Sequence, residues 1–192
     1  MEKRYYYLIA LISFFLSLLV DRDVASFLAQ YRTASLNVIF NFFTLIGTFI
    51  VIPLILISIY LWKTKNKRLI IQLWLSLFLS LAIAYLLKFT VQKPRPEQAL
   101  GIKAVISENG YSFPSAHATA AFSALPILDF VFKKSRFLWH TWAILVAFSR
   151  VYLGVHYLSD IIAGALIGYI VSDFVASKYC SKIIKKINFL SR

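Results

Sequence analysis

The sequence is poor in cysteine and in acidic residues. Its 192 residues include one cysteine and eight aspartates or glutamates, against 21 lysines and arginines. The single cysteine, Cys180, excludes an internal disulfide and does not indicate a redox compartment. No internal repeat or low-complexity tract is present, and a chain of this length leaves little room for a second domain. These absences favour one compact unit, residues 1–192, that is not held together by disulfides.

The scarcity of acidic residues leaves a net charge of +13. A basic nucleic-acid-binding protein carries its charge on a solvated face, together with groups that read or stack on bases. Here the basic residues lie between long apolar runs instead. We therefore expect no nucleic-acid partner and interpret the charge as a feature of a membrane protein.

Apolar residues make up 60% of the chain, and the mean hydropathy is +0.74. Because the apolar residues form long runs without alternation, the pattern is typical of membrane helices. We predict an all-α polytopic membrane protein with six transmembrane helices in one bundle. The predicted apolar segments are Tyr5–Val20, Asn41–Trp62, Leu69–Lys88, Ala116–Phe132, Phe137–Val155 and Leu158–Ala176. The segment after the first, residues 21–40, has mixed charge and is interpreted as a helix lying on the outer leaflet.

The distribution of lysine and arginine predicts the orientation. With six spans, 14 of the 21 basic residues fall on the side that contains both termini. The positive-inside rule therefore places both termini in the cytoplasm. A secretory signal is an alternative interpretation of the basic, apolar start, but no small-residue cleavage site closes the run, which favours an uncleaved helix.

Polar residues gather at the opposite, outer ends of spans three to six. Ionisable groups at such positions are costly in a membrane and indicate function. Because these helix ends meet one aqueous face, we expect a single cluster formed by Lys88, Arg95, Ser115, His117, Arg150, His156 and Asp160. The third histidine, His140, lies at the other face, and we assign it no catalytic role.

The residue types in this cluster suit a phosphate group. Arginine offers a planar fork for phosphate oxygens and lysine a compact charge. Ser115 stands at a helix start, where free backbone N–H groups attract anions. His156 and Asp160 are four residues apart, so the carboxylate can orient the imidazole as a nucleophile. His117, from another helix, is then the candidate general acid.

Each residue alone also has a structural interpretation. Lys88, Lys93 and Arg95 are suited to anchoring a span at the interface. Arg150 or Asp160 could form a structural ion pair, and either histidine could be an interhelical polar contact. These interpretations do not explain why the residues share one face.

Three motifs in this region resemble those of the type 2 phosphatidic acid phosphatase (PAP2) superfamily of membrane lipid phosphatases. The family blocks K-x6-R-P, P-S-G-H and S-R-x5-H-x3-D correspond here to "KFTVQKPRP", "PSAH" and "SRVYLGVHYLSD". All three spacings are met between Lys88 and Asp160. The one departure is Ala116, where the family usually has glycine.

The resemblance implies a role for each motif residue. His156 is the expected nucleophile, Asp160 orients it, and His117 protonates the leaving group. The phosphate is expected to bind Lys88, Arg95, Ser115, the Ala116 N–H and Arg150. The resemblance implies no metal and no cofactor, since the cations stabilise the phosphoryl charge.

The expected function is hydrolysis of a lipid phosphate or diphosphate at the outer face of a bacterial inner membrane. Candidate substrates are the 1-phosphate of lipid A and undecaprenyl diphosphate, followed by phosphatidylglycerol phosphate and phosphatidic acid. One alternative is a non-enzymatic lipid-phosphate binding or transport protein, which has no need for a nucleophile and its orienting acid. A metal site of His117, His156 and Asp160 is another, although the nearby cations oppose a divalent ion. A vanadium haloperoxidase shares these motifs, but such relatives are soluble.

Overall fold

The structure is a computed structural model that describes residues 3–177. Cys180 and the basic tail used in the orientation argument lie outside the described residues. Within them the chain is helical and contains no strand. The helices are α1 (Lys3–Gln30), α2 (Ala34–Thr48), α3 (Val51–Lys63), α4 (Lys67–Val91), α5 (Pro96–Leu100), α6 (Ala116–Ser123), α7 (Leu125–Val131), α8 (Arg136–Tyr152) and α9 (Leu158–Ala176).

The predicted apolar segments are helical, but two of them are interrupted. The second segment is divided between α2 and α3, which are bent by 51°. Pro53 stands at the start of α3, where its ring would clash with the carbonyl of Phe49 in a continuous helix. The fourth segment is likewise divided between α6 and α7, with Pro126 two residues after Ala124, the cap residue of α6. Both breaks therefore have a cause that is visible in the sequence.

The predicted interfacial helix of residues 21–40 is not a separate element. Its first half continues α1 as far as Gln30, and its second half belongs to α2. Thr33 begins α2 as an N-cap, where its Oγ1 accepts a hydrogen bond from Leu36 N at 3.3 Å. The charged "DRD" sequence, residues 21–23, thus lies inside a helix.

Two helical stretches of the described chain are long and apolar enough to cross a membrane. They are Lys67–Leu100 and Leu158–Ala176, and α2 with α3 would make a third if the bent pair were one span. Large apolar side chains are exposed along α1 to α4, including Leu19, Leu56, Leu86 and Phe89. The all-helical class is therefore confirmed. The arrangement of six spans with both termini in the cytoplasm stays a prediction.

Helices α6 and α9 approach closely because α9 carries two glycines one turn apart. A Cβ on Gly164 would lie 2.5 Å from Ser115 O, and one on Gly168 would overlap Thr119 O. Small residues at this spacing let the backbones of membrane helices come together. This contact places the start of α6 against the start of α9.

Helices α4, α6, α8 and α9 bring one set of ends together. At one end, Ser115 N at the start of α6 donates to Asp160 O at 3.0 Å. At the other end, Gln72 Nε2 of α4 donates to Val175 O of α9 at 3.0 Å, and His140 contacts Asp129. Asp160 and Asp173 are separated along α9 by about 20 Å, at 1.5 Å per residue. His140 therefore lies away from the motif residues, as predicted, together with Asp129 and Asp173.

Candidate active site

The motif residues meet where α4, α6, α8 and α9 begin or end. The helix α4 stops at Gln92, which adopts a left-handed conformation with φ 52°. The "KPRP" sequence follows. It does not continue the helix, because a residue that precedes a proline is disfavoured in the helical conformation. The long loop from Gly101 to Ser115 then folds back over the ends of α8 and α9. Val105 N, for example, donates to Leu153 O at 2.9 Å.

His156 and Asp160 are brought together as the sequence predicts. His156 lies in the turn between α8 and α9, and its Nδ1 is 3.4 Å from Asp160 Oδ2. The same carboxylate oxygen accepts a hydrogen bond from Tyr157 N at 2.9 Å. Both side chains are buried. Because Nδ1 faces Asp160, Nε2 is the ring nitrogen that is available to react with a substrate.

Arg95 and Arg150 converge on a single carboxylate that the sequence analysis did not single out. Glu108, in the long loop, accepts from Arg95 Nη1 at 3.0 Å and forms an ion pair with Arg150 Nη2. Its Oε2 also lies 3.8 Å from His156 Nε2. A carboxylate and a phosphate present similar oxygens to a guanidinium. The two arginines and His156 therefore surround one site occupied by an anionic group.

The remaining hydrogen bonds of the arginines fix their side chains. Arg95 donates to the carbonyls of Gly110, Asn109 and Val155 at 2.7 to 3.1 Å. Arg150, fully buried, donates from Nη1 to Thr44 Oγ1 at 3.2 Å. Thr44 belongs to α2 and is also 2.8 Å from Ser149 Oγ. Helix α2 thus takes part in holding the site.

Ser115 stands at the N-cap of α6, as predicted, but its hydroxyl makes no capping bond. Among the described residues, Ser115 Oγ and Arg150 Nε are buried polar atoms without a hydrogen-bond partner. Ala116 follows as the first residue of α6, in the turn whose N–H groups have no intrahelical acceptor. An anion bound beside Arg150 would supply acceptors for such groups.

His117 lies in the first turn of α6 and faces α2. Its Nε2 is 3.0 Å from Thr48 Oγ1, and a Cβ on Gly47 would lie 3.4 Å from its Cδ2. It is close enough to Arg150, Glu108 and His156 to interact with their charges. Lys88 is also near these groups, but its Nζ donates to the carbonyls of Tyr111 at 2.7 Å and Ser112 at 3.4 Å. Lys88 therefore also holds the loop that leads into α6.

Burial and neighbouring charges determine the protonation states of His156 and Glu108, the two groups at the centre of the site. Burial lowers the pKa of His156 to about 4, although Asp160 acts in the opposite direction. Burial of Glu108 acts to raise the pKa of its carboxyl, but Arg150, His156 and Arg95 outweigh this and hold it below its ordinary value. At neutral pH the site therefore contains a neutral imidazole beside a carboxylate.

Several residues that line or support this site were not predicted from the sequence. Lys93 was interpreted as an interfacial anchor, yet its Nζ lies 2.9 Å from Asp160 Oδ1. Asp21, in "DRD", lies 2.8 Å from Lys93 Nζ. A charged residue at the outer end of the first predicted span was the available signal for Asp21. Glu108 and Thr48 have no comparable signal, because loop and helix polar residues of these types are common.

The metal-site alternative gains no support from the arrangement. No three His, Cys, Asp or Glu side chains among residues 3–177 are grouped to hold a metal ion. The basic side chains of Arg95 and Arg150 instead face the space beside His156, through their contacts to Glu108. This space is suited to an anion.

Comparison with known proteins agrees with this chemistry. The family model of the PAP2 superfamily matches residues 69–181, which is more than half of the chain. The chain belongs to the PAP2 superfamily. The resemblance stated from the three motifs is therefore confirmed, and the match includes every predicted site residue.

Two curated relatives and one solved structure illustrate the range of the superfamily. The chain is 37% identical to a lipid A 4'-phosphatase of Porphyromonas gingivalis over 41% of this chain and 35% of the relative. It is 33% identical to a putative undecaprenyl-diphosphatase of Escherichia coli over 62% of each. The match thus spans about a third to three fifths of these relatives. The crystal structure of a transmembrane PAP2-type phosphatidylglycerolphosphate phosphatase from Bacillus subtilis shares the fold, with a TM-score of 0.75, 21% identity and coverage of 93% of this chain and 98% of that one.

Proposed function

We propose that this protein hydrolyses a lipid phosphate or diphosphate through a phosphohistidine intermediate on His156. The observation that carries the proposal is the contact set of His156. Its Nδ1 faces Asp160 at 3.4 Å, and its Nε2 faces an anionic group held by Arg95. Binding alone requires cations but no imidazole oriented by a buried carboxylate. The non-enzymatic alternative leaves this pair unexplained.

In the first step, Nε2 of His156 attacks phosphorus and the bond from phosphorus to the lipid oxygen breaks. His117 gives its proton to that oxygen, so the lipid leaves as an alcohol, or as a monophosphate if the substrate is a diphosphate. Asp160 stabilises the positive charge on the imidazole. Lys88, Arg95, Arg150, Ser115 and the Ala116 N–H hold the phosphoryl oxygens.

In the second step, water attacks the phosphohistidine and the N–P bond breaks. His117, now neutral, takes a proton from the water, and inorganic phosphate leaves with the added oxygen. His156 returns to its neutral form and His117 is protonated again. The cycle balances without a cofactor or metal.

We also propose a membrane topology for this protein. The whole chain, residues 1–192, forms one domain with six spans in the bacterial inner membrane, and both termini are cytoplasmic. The site then faces the periplasm, where a lipid in the outer leaflet presents its phosphate. The support is the bias of 14 of 21 basic residues toward the other side.

The proposed substrates are a lipid A phosphate and undecaprenyl diphosphate, ahead of phosphatidylglycerol phosphate and phosphatidic acid. We expected the 1-phosphate of lipid A from the sequence, whereas one relative is named a 4'-phosphatase. Another is named a putative undecaprenyl-diphosphatase. These names support the substrate class and leave the position on lipid A to experiment.

The test is phosphate release by the purified full-length protein in detergent micelles. The four lipids are supplied separately, with and without EDTA. We expect activity on at least one lipid that survives EDTA, is blocked by orthovanadate and is lost in His156→Ala. His140→Ala is the matched control, because His140 lies away from the site. Release by His156→Ala at the wild-type rate would overturn the proposal. Binding of the lipids without any release would favour the binding or transport alternative.

A further inference from the structure

Lys93 lies at the centre of a buried polar network behind the candidate nucleophile. Its ammonium donates to Asp21 Oδ2 at 2.8 Å, to Ser159 Oγ at 2.9 Å and to Asp160 Oδ1 at 2.9 Å. A lysine has three N–H donors, so these acceptors use all of them. The ring of Tyr157 covers the ammonium at 4.1 Å from its centroid. A lysine that only anchors a span would instead reach into solvent or headgroups.

Asp21 brings the first helix into this network. Its Oδ1 accepts from Ser159 N at 2.8 Å, and its Oδ2 accepts from Ser159 Oγ at 2.6 Å. Ser159 is the second residue of α9, where a backbone N–H has no partner within the helix and the helix dipole favours a negative charge. Asp21 is buried. A carboxylate of α1 therefore binds the start of α9 one residue before Asp160.

The two oxygens of Asp160 have separate partners. Oδ2 accepts from Tyr157 N and faces His156 Nδ1, whereas Oδ1 receives the Lys93 ammonium. Asp160 is fully buried, and a buried carboxylate needs a counterion as well as hydrogen bonds. Lys93 supplies that counterion at the oxygen that does not face His156. Asp21 in turn holds Lys93 in place and balances part of its charge.

We propose that Lys93 and Asp21 are positioning residues of the reaction, acting through Asp160 to set the orientation and basicity of His156. The inference rests on the proposed function, since it assigns a role in the same site. It gives α1, a helix that lies outside the three motifs, a role in positioning the catalytic histidine through Asp21. It also predicts opposite electrostatic effects for the two residues.

Several charged or titratable groups face His156 and act on its protonation together with Lys93 and Asp21. They are Asp160 from α9, Arg150 from α8, Arg95 before α5, Glu108 from the long loop and His117 from α6. Removing the positive charge of Lys93 leaves Asp160 without its counterion, so His156 becomes easier to protonate. Removing the negative charge of Asp21 leaves more of the Lys93 charge acting on Asp160, so His156 becomes harder to protonate.

The experiment compares Lys93→Met, Lys93→Arg and Asp21→Asn in the full-length protein. Phosphate release from undecaprenyl diphosphate, or from the best of the four lipids, is measured from about pH 2.5 to about pH 8, a range that extends on both sides of the His156 pKa of about 4. Lys103→Met and Asp23→Asn are the matched controls, because both side chains are exposed and make the same charge changes. Gel filtration shows which variants are folded.

We expect Lys93→Met to lower kcat by about tenfold to a hundredfold, with KM changed far less. This is the usual effect of losing a residue that orients a directly acting group through a hydrogen bond. The acid limb of its profile should move to higher pH, and that of Asp21→Asn to lower pH. Lys93→Arg should restore most of kcat. The controls should resemble the wild type.

Unchanged kcat and acid limbs in the two variants would overturn the inference. An equal loss of kcat in Lys93→Met and Lys93→Arg, with no shift of the acid limb, would also overturn the inference. That is the result expected of a purely structural contact. If Lys93→Met does not fold, the downward shift in Asp21→Asn decides. A wild type and controls without activity would instead be a failure of the proposed function itself.

Discussion

Oε2 of Glu108 lies 3.0 Å from Nη1 of Arg95, and its second oxygen pairs with Arg150. A carboxylate of the chain thus stands between the two arginines, where the proposed mechanism places the phosphoryl oxygens. It must leave, or make room, before a lipid phosphate can bind. In the proposed mechanism, substrate binding therefore requires the Glu108 side chain to move away from the two arginines.

The first prediction follows from this competition. Replacing Glu108 with glutamine removes the negative charge from the anion site but keeps the shape of the side chain. We expect orthovanadate to inhibit Glu108→Gln about threefold to fivefold more tightly, corresponding to ~0.6 to 1 kcal/mol for a partly exposed ion pair. The inhibition constant for phosphate release is the measurement.

Glu97→Gln is the control for Glu108→Gln. Glu97 is exposed in α5 and makes the same change of charge close to the site. Its inhibition constant should equal that of the wild type. Weaker vanadate inhibition in Glu108→Gln would contradict the idea that the carboxylate competes for the anion site.

The second prediction concerns His117. Because it is assigned as proton donor to the lipid oxygen, His117→Gln should lower kcat by about 10²-fold to 10⁴-fold, the usual range for a general acid. The loss in the first turnover should be smaller for p-nitrophenyl phosphate, whose leaving group needs little protonation. Rapid-mixing measurement of the first turnover separates this step from the hydrolysis of phosphohistidine. Equal losses with both substrates would remove His117 from the role of acid.

The third prediction is a pH dependence. Burial lowers the pKa of His156 to about 4, below the ordinary value for histidine. Since the neutral imidazole is the nucleophile, a lowered pKa keeps the active form present at lower pH. We expect kcat/KM, corrected for the separately measured ionisation of the substrate, to decline only below about pH 5 and not near 6.5. A decline centred near 6.5 would show that the imidazole titrates as an exposed histidine does.

The fourth prediction tests the close approach of α6 and α9. Gly168→Ala places a methyl group against Thr119 O and 2.9 Å from Ser123 N, so the helices must separate. We expect a loss of about 1 to 3 kcal/mol, the usual cost of overpacking, seen as a lower midpoint of thermal unfolding in detergent. Ala165→Leu is the comparison, because Ala165 lines an open groove with Tyr7 and Phe122. An unchanged midpoint in Gly168→Ala would mean that the helices can shift without cost.

Much of the fold and the site could be predicted from local sequence. The apolar runs predict the helices, and α9 has the predicted bounds, Leu158–Ala176. The prolines at 53 and 126 explain the two breaks, although the predicted segments ran through them. The spacing of four residues between His156 and Asp160 is a local property, and the structure has the two side chains in contact.

Only the tertiary structure decided what surrounds those residues. Glu108 and Arg150 are 42 residues apart in the chain, and Asp21 and Ser159 are 138 apart. No local pattern sets such contacts, because they depend on how helices pack and on where a long loop returns. The close contact of α6 with α9 and the fold of the loop from Gly101 decide them together.

The sequence by itself determined the family, the helical class and the residues of the three motifs, because these depend on composition and on spacing along the chain. The tertiary structure decided that a carboxylate fills the anion site and that Lys93 and Asp21 lie behind Asp160. The physical reason is that a buried charge needs a partner, and the packing of the chain decides which residue supplies it. Here Asp21 comes from α1 and Glu108 from the loop after α5, both outside the motifs, whereas Lys93 occupies an unspecified position inside the first motif.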